Sequence, residues 1–430
     1  MRDELGYASF TKYESGIENR PSEQSPLRKA VVNLLRSPDF ASNWEASAGG
    51  AEKDSSTRCM SAPSVKLTGG AAAYERQQLA LEAGKRYVLS AYVKAQDVAG
   101  EGAYVSLTCM QNGKVVKSAA IQGTTAASEG GLPTDGWERV HVNLDCNVTG
   151  NYCVDLCLNG SGTAWFACPQ LETGSIVSPV NLVSNGDFRY EAEAWTAGSN
   201  NLGAETDGVF TSDDEDFDPD FPAALSGNYI QVEGRADKDQ VGYIQTIDLQ
   251  GSAGDSFVAG GWASGKSVPN ADTASRGFGI SIRLKKTDGT WTDSEMLAYN
   301  SEWVGWQFGC WAYVAECDYT AVELALVYTH NCNQAKFSNI FLHREQFGQS
   351  YAYDDDKNVV STGTLAGQKS DIQYDNADNI EKYTQPGREK GVDENQYIFN
   401  YGSTDAERQK HLLLRSRTPM KLTDCFTYDS

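Results

Sequence analysis

Apolar and polar residues alternate with a period of two along most of the chain, and no stretch sustains a helical period. YVLSAYVK (87–94) sets Tyr87, Leu89, Ala91 and Val93 against Val88, Ser90, Tyr92 and Lys94, and the first set predicts a core face. AYVSLTCM (103–110) sets Val105, Leu107 and Cys109 against Tyr104, Ser106, Thr108 and Met110. Asn112-Gly113 follows it, the strongest short hairpin signal. ERVHVNL (138–144) puts Val140, Val142 and Leu144 on one side, and NYCVDLCL (151–158) does the same with Tyr152, Val154, Leu156 and Leu158. The order returns later in FVAGGWAS (257–264), GFGISIRLK (277–285), the turn Asp288-Gly289, QFGCWAYV (307–314) and AVELALVY (321–328). Short alternating strands divided by Gly, Asn and Asp predict an all-β sandwich or barrel.

The strands belong to a unit written twice. NLLRSPDF (33–40) followed by Trp44 is answered by NLVSNGDF (181–188) followed by Trp195. YVLSAYVKA (87–95) is answered by FVAGGWASG (257–265), Gly136-Trp137 by Gly305-Trp306, and FACPQL (166–171) by FSNIFL (337–342). The interval between copies widens after Trp195, where the acidic run TSDDEDFDPDF (211–221) sits as an insertion. That run is expected to be a solvated loop, because it lacks the glycine and glutamate frame of an EF-hand. The repeat fixes the divisions: an N-terminal strand and linker over 1–30, one module over 31–178, a second over 179–348, and a tail over 349–430. Within the first part GYASFTKY (6–13) reads as a strand and ENRPSEQSP (18–26) as a loop. The tail repeats a Tyr-Asp, a polar turn and a strand, in YAYDDDKNVVSTGTLAG (351–367) and IQYDNADNIEKYTQPG (372–387). YIFNYG (397–402) and FTYDS (426–430) continue it as a hairpin array that buries itself only against neighbours. Both ends break off in strand-like text, so a longer parent chain is expected.

Charge narrows the partners. With 58 acidic against 36 basic residues the net charge is -22, which argues against nucleic acid and anionic membrane surfaces. No apolar run is long enough to insert in a membrane, and the N-terminus does not read as a signal peptide. The 10 cysteines fall unevenly on the two copies, without a CxxC knuckle, and the chain has only 4 histidines. A zinc site is therefore not expected; the thiols read as small buried groups, with their pairing left open. No GxSxG elbow, HExxH helix or phosphate-binding glycine loop appears, and His141 is out of phase with its core face. The expectation is a protein that is not an enzyme.

The modules resemble the jelly-roll carbohydrate-binding modules of families 4 and 9. The openings NLLRSPDF and NLVSNGDF with their tryptophans, the mid-module Gly-Trp strands and the closing FACPQLETGS carry the resemblance across nearly all of both copies. The tail resembles YD repeats of the RHS class, through YAYDDDKN, IQYDNADN and FTYDS. The whole order resembles large secreted or surface proteins of Gram-positive bacteria in which such modules interrupt a YD-repeat shell. The resemblance implies two tandem jelly-roll β-sandwiches followed by a YD-repeat β-hairpin segment, an extracellular or cell-surface location, and a polysaccharide or cell-wall glycan as partner. The family usually places a glutamate after the GDF phenylalanine, as a ligand of a structural calcium. Ala41 and Arg189 stand there in this chain, which weakens the case for calcium, most of all in the second copy.

Modules of this kind bind sugars on a concave sheet face. An aromatic ring stacks on the apolar face of the sugar, and nearby polar groups fix its orientation. Strand parity selects Tyr92 and Trp262, which share one repeat position. It also turns Tyr104, Ser106 and Thr108 outward in the first copy, and Ser281, Arg283 and Lys285 in the second. Asp155 and Glu323 lie outward on later strands, and Trp291, just after the Asp288-Gly289 turn, reads as a loop-borne clamp. The candidate ligand-binding set is Tyr92, Tyr104, Thr108, Trp262, Arg283 and Trp291, with no catalytic or metal-ligating member. Trp44, Trp137, Trp195 and Trp306 are assigned to the cores. On the alternative reading the modules are spacers or assembly elements of an RHS shell. The out-of-phase rings are then covered by loops or by the neighbouring module.

Overall fold

The fold is given by a computed structural model, which describes residues 7–13, 21–29, 31–47, 50–69, 73–125, 136–198, 207–223, 225, 227–234, 242–268, 277–344, 349–364, 369–384, 396–402 and 412–428. Among these residues every regular element is a β-strand. The chain opens with β1 (Tyr7–Tyr13) and β2 (Pro21–Lys29), an antiparallel hairpin. The loop expected over 18–26 is thus a strand from Pro21 onward, because β2 has partners on both sides. A register slip opposite Ala8 and Phe10 takes up the segment with Pro26, which has no N–H to give to a ladder.

The first sandwich contains β3 (Glu45–Ala46), β4 (Ala51–Cys59), β5 (Ala62–Thr68), β6 (Ala73–Leu81), β7 (Arg86–Cys109), β8 (Val115–Lys117), β9 (Ile121–Gly123), β10 (Glu138–Asp145) and β11 (Gly150–Thr173). The two runs expected as separate strands at 87–94 and 103–110 are one, since β7 and β11 run 24 residues each and belong to both layers. The first half of β7 pairs with β10 and with the end of β11, whose other edge carries β5 and then β4. The second half pairs with β8 and with the start of β11, beyond which lie β6 and β3. Where the strands turn from one layer to the other, Gly100 lies against Gly160. A Cβ on Gly160 would stand 1.8 Å from the Ala99 carbonyl oxygen, so only glycine fits there. The inward residues match the alternation: Leu89, Ala91, Val93, Val105, Leu107, Val142, Val154, Leu156 and Leu158 are buried in one cluster.

The second sandwich repeats this order with shorter strands: β12 (Thr196–Ala197), β13 (Gly208–Phe210), β14 (Tyr229–Glu233), β15 (Tyr243–Ile247), β16 (Ser256–Lys266), β17 (Phe278–Lys286), β18 (Glu295–Ala298), β19 (Gly305–Val314), β20 (Tyr319–Tyr328) and β21 (Gln334–Arg344). One layer runs β13-β14-β21-β16-β19 and the other β12-β15-β20-β17-β18. β16 and β17 together match β7, and β20 and β21 together match β11.

The repeated phrases are hydrogen-bonding devices. The buried Asn33 side chain accepts from the Leu35 and Leu171 amides and donates to the Pro169 carbonyl. Asn181 accepts from the Val183 and Leu342 amides and donates to the carbonyls of Ile340 and, across the modules, Val31. Gln77 clamps the Arg36 backbone through its N–H and C=O, as Gln245 clamps Ser184. Trp44 and Trp195 each donate an indole N–H to the backbone of the opening loop.

The modules are packed together. Cys59, Met60, Ala62, Trp137, Ala167 and Cys168 of the first join the apolar cluster of the second. Arg58 pairs with Asp248 at 3.0 Å, Arg36 stacks 4.1 Å from the Tyr190 ring, and the Tyr190 hydroxyl donates to the Leu34 carbonyl.

Beyond the modules come β22 (Gln349–Tyr353), β23 (Val359–Thr364), β24 (Lys369–Tyr374), β25 (Ile380–Thr384), β26 (Gln396–Tyr401), β27 (Leu413–Arg417) and β28 (Thr423–Cys425). They pair in sequence, and β22 pairs with β2, so the sheet runs on across the two modules. Each Tyr-Asp unit closes by one turn: Asp354 accepts from the Asn358 amide at 2.7 Å, and Asp375 from the Asn379 amide at 3.0 Å. Asp429 and Ser430 of the expected FTYDS unit lie outside the described residues.

Truncating a buried amide leaves its backbone partners without hydrogen bonds. Asn181→Ala should therefore cost about 3 kcal/mol, against under about 0.5 kcal/mol for Asn143→Ala, at an exposed position of β10. Denaturant unfolding of the full chain measures both, and equal costs would contradict the role given to Asn181.

Candidate functional site

Each layer has an outward face, and the six sequence candidates fall on two kinds of it. Tyr92 and Trp262 sit at matching positions, opposite Ala167 and Ser338, on the layers that hold β10 and β19. Neither ring is an open platform. Trp262 is 6% exposed, in a cluster with Tyr229, Trp306, Phe308 and Phe341. Phe210, Phe217, Phe221 and Leu225 pack over that cluster. Phe217 and Phe221 contact the Tyr229 ring at 5.2 and 6.0 Å, and Phe221 meets Trp306 edge-on at 5.1 Å. The acidic insertion is therefore a lid rather than a solvated loop. Its carboxylates at 213–216 face water, while its phenylalanines cover the sheet. Asp218 pins the lid, accepting from Lys336 at 2.8 Å and from the Trp306 indole at 3.2 Å.

Tyr92 is half-buried, and its ring packs against the cluster that spans both modules. Arg139 lies 5.5 Å from the ring centroid and donates to the Ser178 carbonyl and the Ser90 hydroxyl. Burial pushes the Tyr92 hydroxyl up to about 12. The neighbouring module and its linker close this face in the first copy, where the insertion closes it in the second.

Tyr104 and Thr108 lie on the other outward face of the first module. Adjacent strands align Tyr104 of β7, Cys157 of β11 and Tyr74 of β6 in one row. The next row is Lys117, Ser106, Asp155, Arg76 and Glu45, and Thr108 stands one row further, opposite Val115 and Cys153. Arg76 engages Asp155 with two N–H groups, at 2.5 and 3.1 Å, and lies 4.6 Å from the Tyr74 ring centroid. The Lys117 ammonium sits 5.2 Å from the Tyr104 ring. Burial, with Cys157 alongside, pushes Tyr104 up to about 12. The result is a pair of tyrosines beside a fixed row of charged and hydroxyl groups. Tyr74, Arg76 and Lys117 escaped the sequence reading. On β6 the buried Glu75 and Gln77 occupy the core side, so the alternation that would expose Tyr74 and Arg76 as outward is disguised.

Arg283 and Trp291 lie on the matching face of the second module. Arg283 engages Glu323 at 2.6 and 3.0 Å and stacks 4.7 Å from the Trp291 ring, and Trp291 bridges to Lys285. Glu323 corresponds to Asp155, each on the central strand of its layer. Its arginine comes from the opposite neighbour, β17 instead of β6. The next row holds Ser281, Ala325 and Ile244, with no aromatic side chain. The structure thus assembles Tyr104 with Thr108, and Arg283 with Trp291, but joins neither pair to Tyr92 or Trp262. Trp303, on the turn between β18 and β19, was not singled out in the sequence and is 56% exposed.

The calcium suggested by the resemblance does not fit. Asp187 is fully buried and already neutralised by Arg189, whose Nε lies 2.8 Å from its carboxylate. Asp39 is occupied by the Ser37 hydroxyl and the Ala41 amide. Among the described residues no group of three or more His, Cys, Asp or Glu could hold a metal ion. All ten thiols are free.

No family model and no curated protein matches the chain. It is similar to the solved CBM22-1–CBM22-2 tandem domain of Xyn10C from Paenibacillus barcinonensis, at 14% identity and a TM-score of 0.27, over 74% of this chain and 98% of that one. It is also similar to a family 16 carbohydrate binding module-2, at 11% identity and a TM-score of 0.26, over 38% of this chain and 99% of that one. TmCBM61 in complex with β-1,4-galactotriose matches at 16% identity and a TM-score of 0.26, again over 38% of this chain and 99% of its own.

The lid over Trp306 carries a pH signature. Burial pushes the Asp218 carboxyl up, but the Lys336 ammonium and the Asp220 amide outweigh it and hold the group below 3.8. A depressed carboxyl stabilises above its unfolded value and loses that contribution as pH falls through the folded one. Tryptophan fluorescence should therefore report the lid loosening as pH drops below about 4, and Asp218→Asn should flatten that step. An unchanged step in the variant would remove Asp218 from the account.

Proposed function

We propose that the chain is a pair of non-catalytic carbohydrate-binding modules that recognise a polysaccharide at the outward face of β6, β11, β7 and β8. The observation that carries this is the row of Tyr104 and Tyr74 flanking Cys157, next to the Arg76–Asp155 pair. Two aromatic rings, on the strands either side of β11, supply apolar surface for sugar rings. Arg76, Lys117, Ser106 and Thr108 supply donors and acceptors for hydroxyl groups. The Arg283, Glu323 and Trp291 group offers a smaller version in the second module. A net charge of -22 favours a neutral glycan over an acidic one.

The context proposed is an RHS-type, YD-repeat protein at the cell surface or outside the cell, as part of a longer parent chain. Its support is the pairing of β2 with β22, which makes the two modules an insertion within one hairpin sheet. An insertion at that point could engage a polysaccharide without breaking the array.

A glycan array probed with the full chain tests this. Binding to at least one neutral polysaccharide is expected, weakened about tenfold or more by Tyr74→Ala with Tyr104→Ala and left intact by Trp262→Phe. A blank array would instead support the spacer reading, and binding indifferent to the tyrosine pair would move the site elsewhere.

A further inference from the structure

The covered face of the second module makes an internal control for the first. Position by position, Trp165 of β11 corresponds to Lys336 of β21: each follows a buried alanine and precedes the core phenylalanine, Phe166 or Phe337. Each is tied to an aspartate from the segment that leads into the layer. Trp165 donates its indole N–H to Asp54 at 2.9 Å, and Lys336 donates to Asp218 at 2.8 Å. In the second copy that segment is the long insertion, which fills the space above the layer with Phe217 and Phe221. In the first copy it is only the short turn after Asp54, held by the Ser56 and Thr57 amides at 2.7 and 3.0 Å. The space stays open as a cavity of about 430 Å³, lined by Trp165, Lys94, Gln96, Asp97, Thr57 and Thr124, with Ala95 and Thr125 behind. That volume lies within the range of about 300–1,000 Å³ typical of small-molecule sites.

The walls are fixed. The bond to Asp54 takes the indole edge, and the half-buried ring, packed in part against the cluster that spans both modules, supplies the apolar wall. On the opposite side the Thr125 and Thr124 hydroxyls accept from the Ala95 and Asp97 amides, both at 3.0 Å. They lock β7 at the corner where it changes layer. Gln96, Asp97 and Thr124 are exposed, so the cavity opens to water. Its polar lining is one ammonium, one carboxylate, one carboxamide and three hydroxyls, and the two formal charges cancel.

The geometry points to a second saccharide site here, which takes one neutral, polyhydroxylated ring, such as the end residue of a glycan chain, against Trp165. A sugar ring needs an apolar wall for its axial C–H face together with mixed donors and acceptors for its hydroxyls. Lys94 and the Gln96 amide donate, and Asp97 and the second lone pair of the Thr124 hydroxyl accept. The site shares its ligand class with the sheet-face reading but none of its residues. It lies on the opposite layer of the same module.

Indole N–H resonances of the full chain test it, titrated with methyl β-glucoside, methyl β-galactoside and glucuronate; the Trp165 signal is assigned by its loss in Trp165→Phe. One of the two neutral glycosides should shift that signal saturably, more strongly than glucuronate does. Gln96→Ala and Asp97→Asn, both at exposed positions, should each weaken the effect about tenfold. Tyr74→Ala with Tyr104→Ala should leave it unchanged, even where array binding is lost. No shift with either neutral glycoside, a shift indifferent to Gln96 and Asp97, or one abolished by the tyrosine pair would each overturn the proposal. The array result with wild-type protein stands apart from all three.

Discussion

A β-layer in a sandwich buries one face in the core, and the other must meet water or be covered. Four layers make up the two modules, and what lies on their second faces separates this chain's structural surfaces from its exposed ones. The layer with β19 carries Tyr229, Trp262, Trp306 and Phe308 outward, far too apolar to stand alone, and the insertion covers it. The corresponding layer with β10 carries Tyr92 and Trp137, closed in part by the second module and by Arg139. Among the described residues its far end, beside the half-buried Trp165, borders a cavity. The two remaining layers face outward with charged rows centred on Asp155 and Glu323.

The same constraint explains the division of labour between copies. A lid held by Asp218 and a tight turn held by Asp54 are two lengths of one connection, and each ties down the same strand position. The longer one closes one layer of the second module, which also supports the first across the Arg58–Asp248 and Tyr190–Leu34 contacts. The shorter one leaves the first module with both an open sheet face and an open corner cavity. The two copies thus differ in what lies over one layer, the insertion in the second and the turn after Asp54 in the first.

Much of the fold could be read from the chain, because it is written in period-two alternation and in phrases that do fixed hydrogen-bonding work. Asn33 and Asn181, Gly136-Trp137 and Gly305-Trp306, and the Asp354 and Asp375 turns all sit where their repetition implied related roles. Parity also sorted inward from outward residues on β7, β10 and β11. It could not say which outward face is covered, since that depends on segments distant in sequence: Phe217 and Phe221 over Trp262, and the second module beside Tyr92. Acidic residues around the two phenylalanines made a lid look like a solvated loop. The residues that alternation leaves unmarked are hidden by their neighbours in two ways. Tyr74 and Arg76 are hidden by Glu75 and Gln77, which break the apolar count on the core side. Trp165 looks like part of a core motif because Phe166 next to it is.

Covering of the outward faces is therefore the central claim, and hydroxyl-radical footprinting of the full chain, read residue by residue by mass spectrometry, tests it most directly. Trp303 should be the most heavily modified indole, Trp165 and Trp291 intermediate, and Trp262, Trp306, Trp195 and Trp137 protected. Modification of Trp262 to the extent of Trp303 would contradict the lid and, with it, the assignment of open and closed faces.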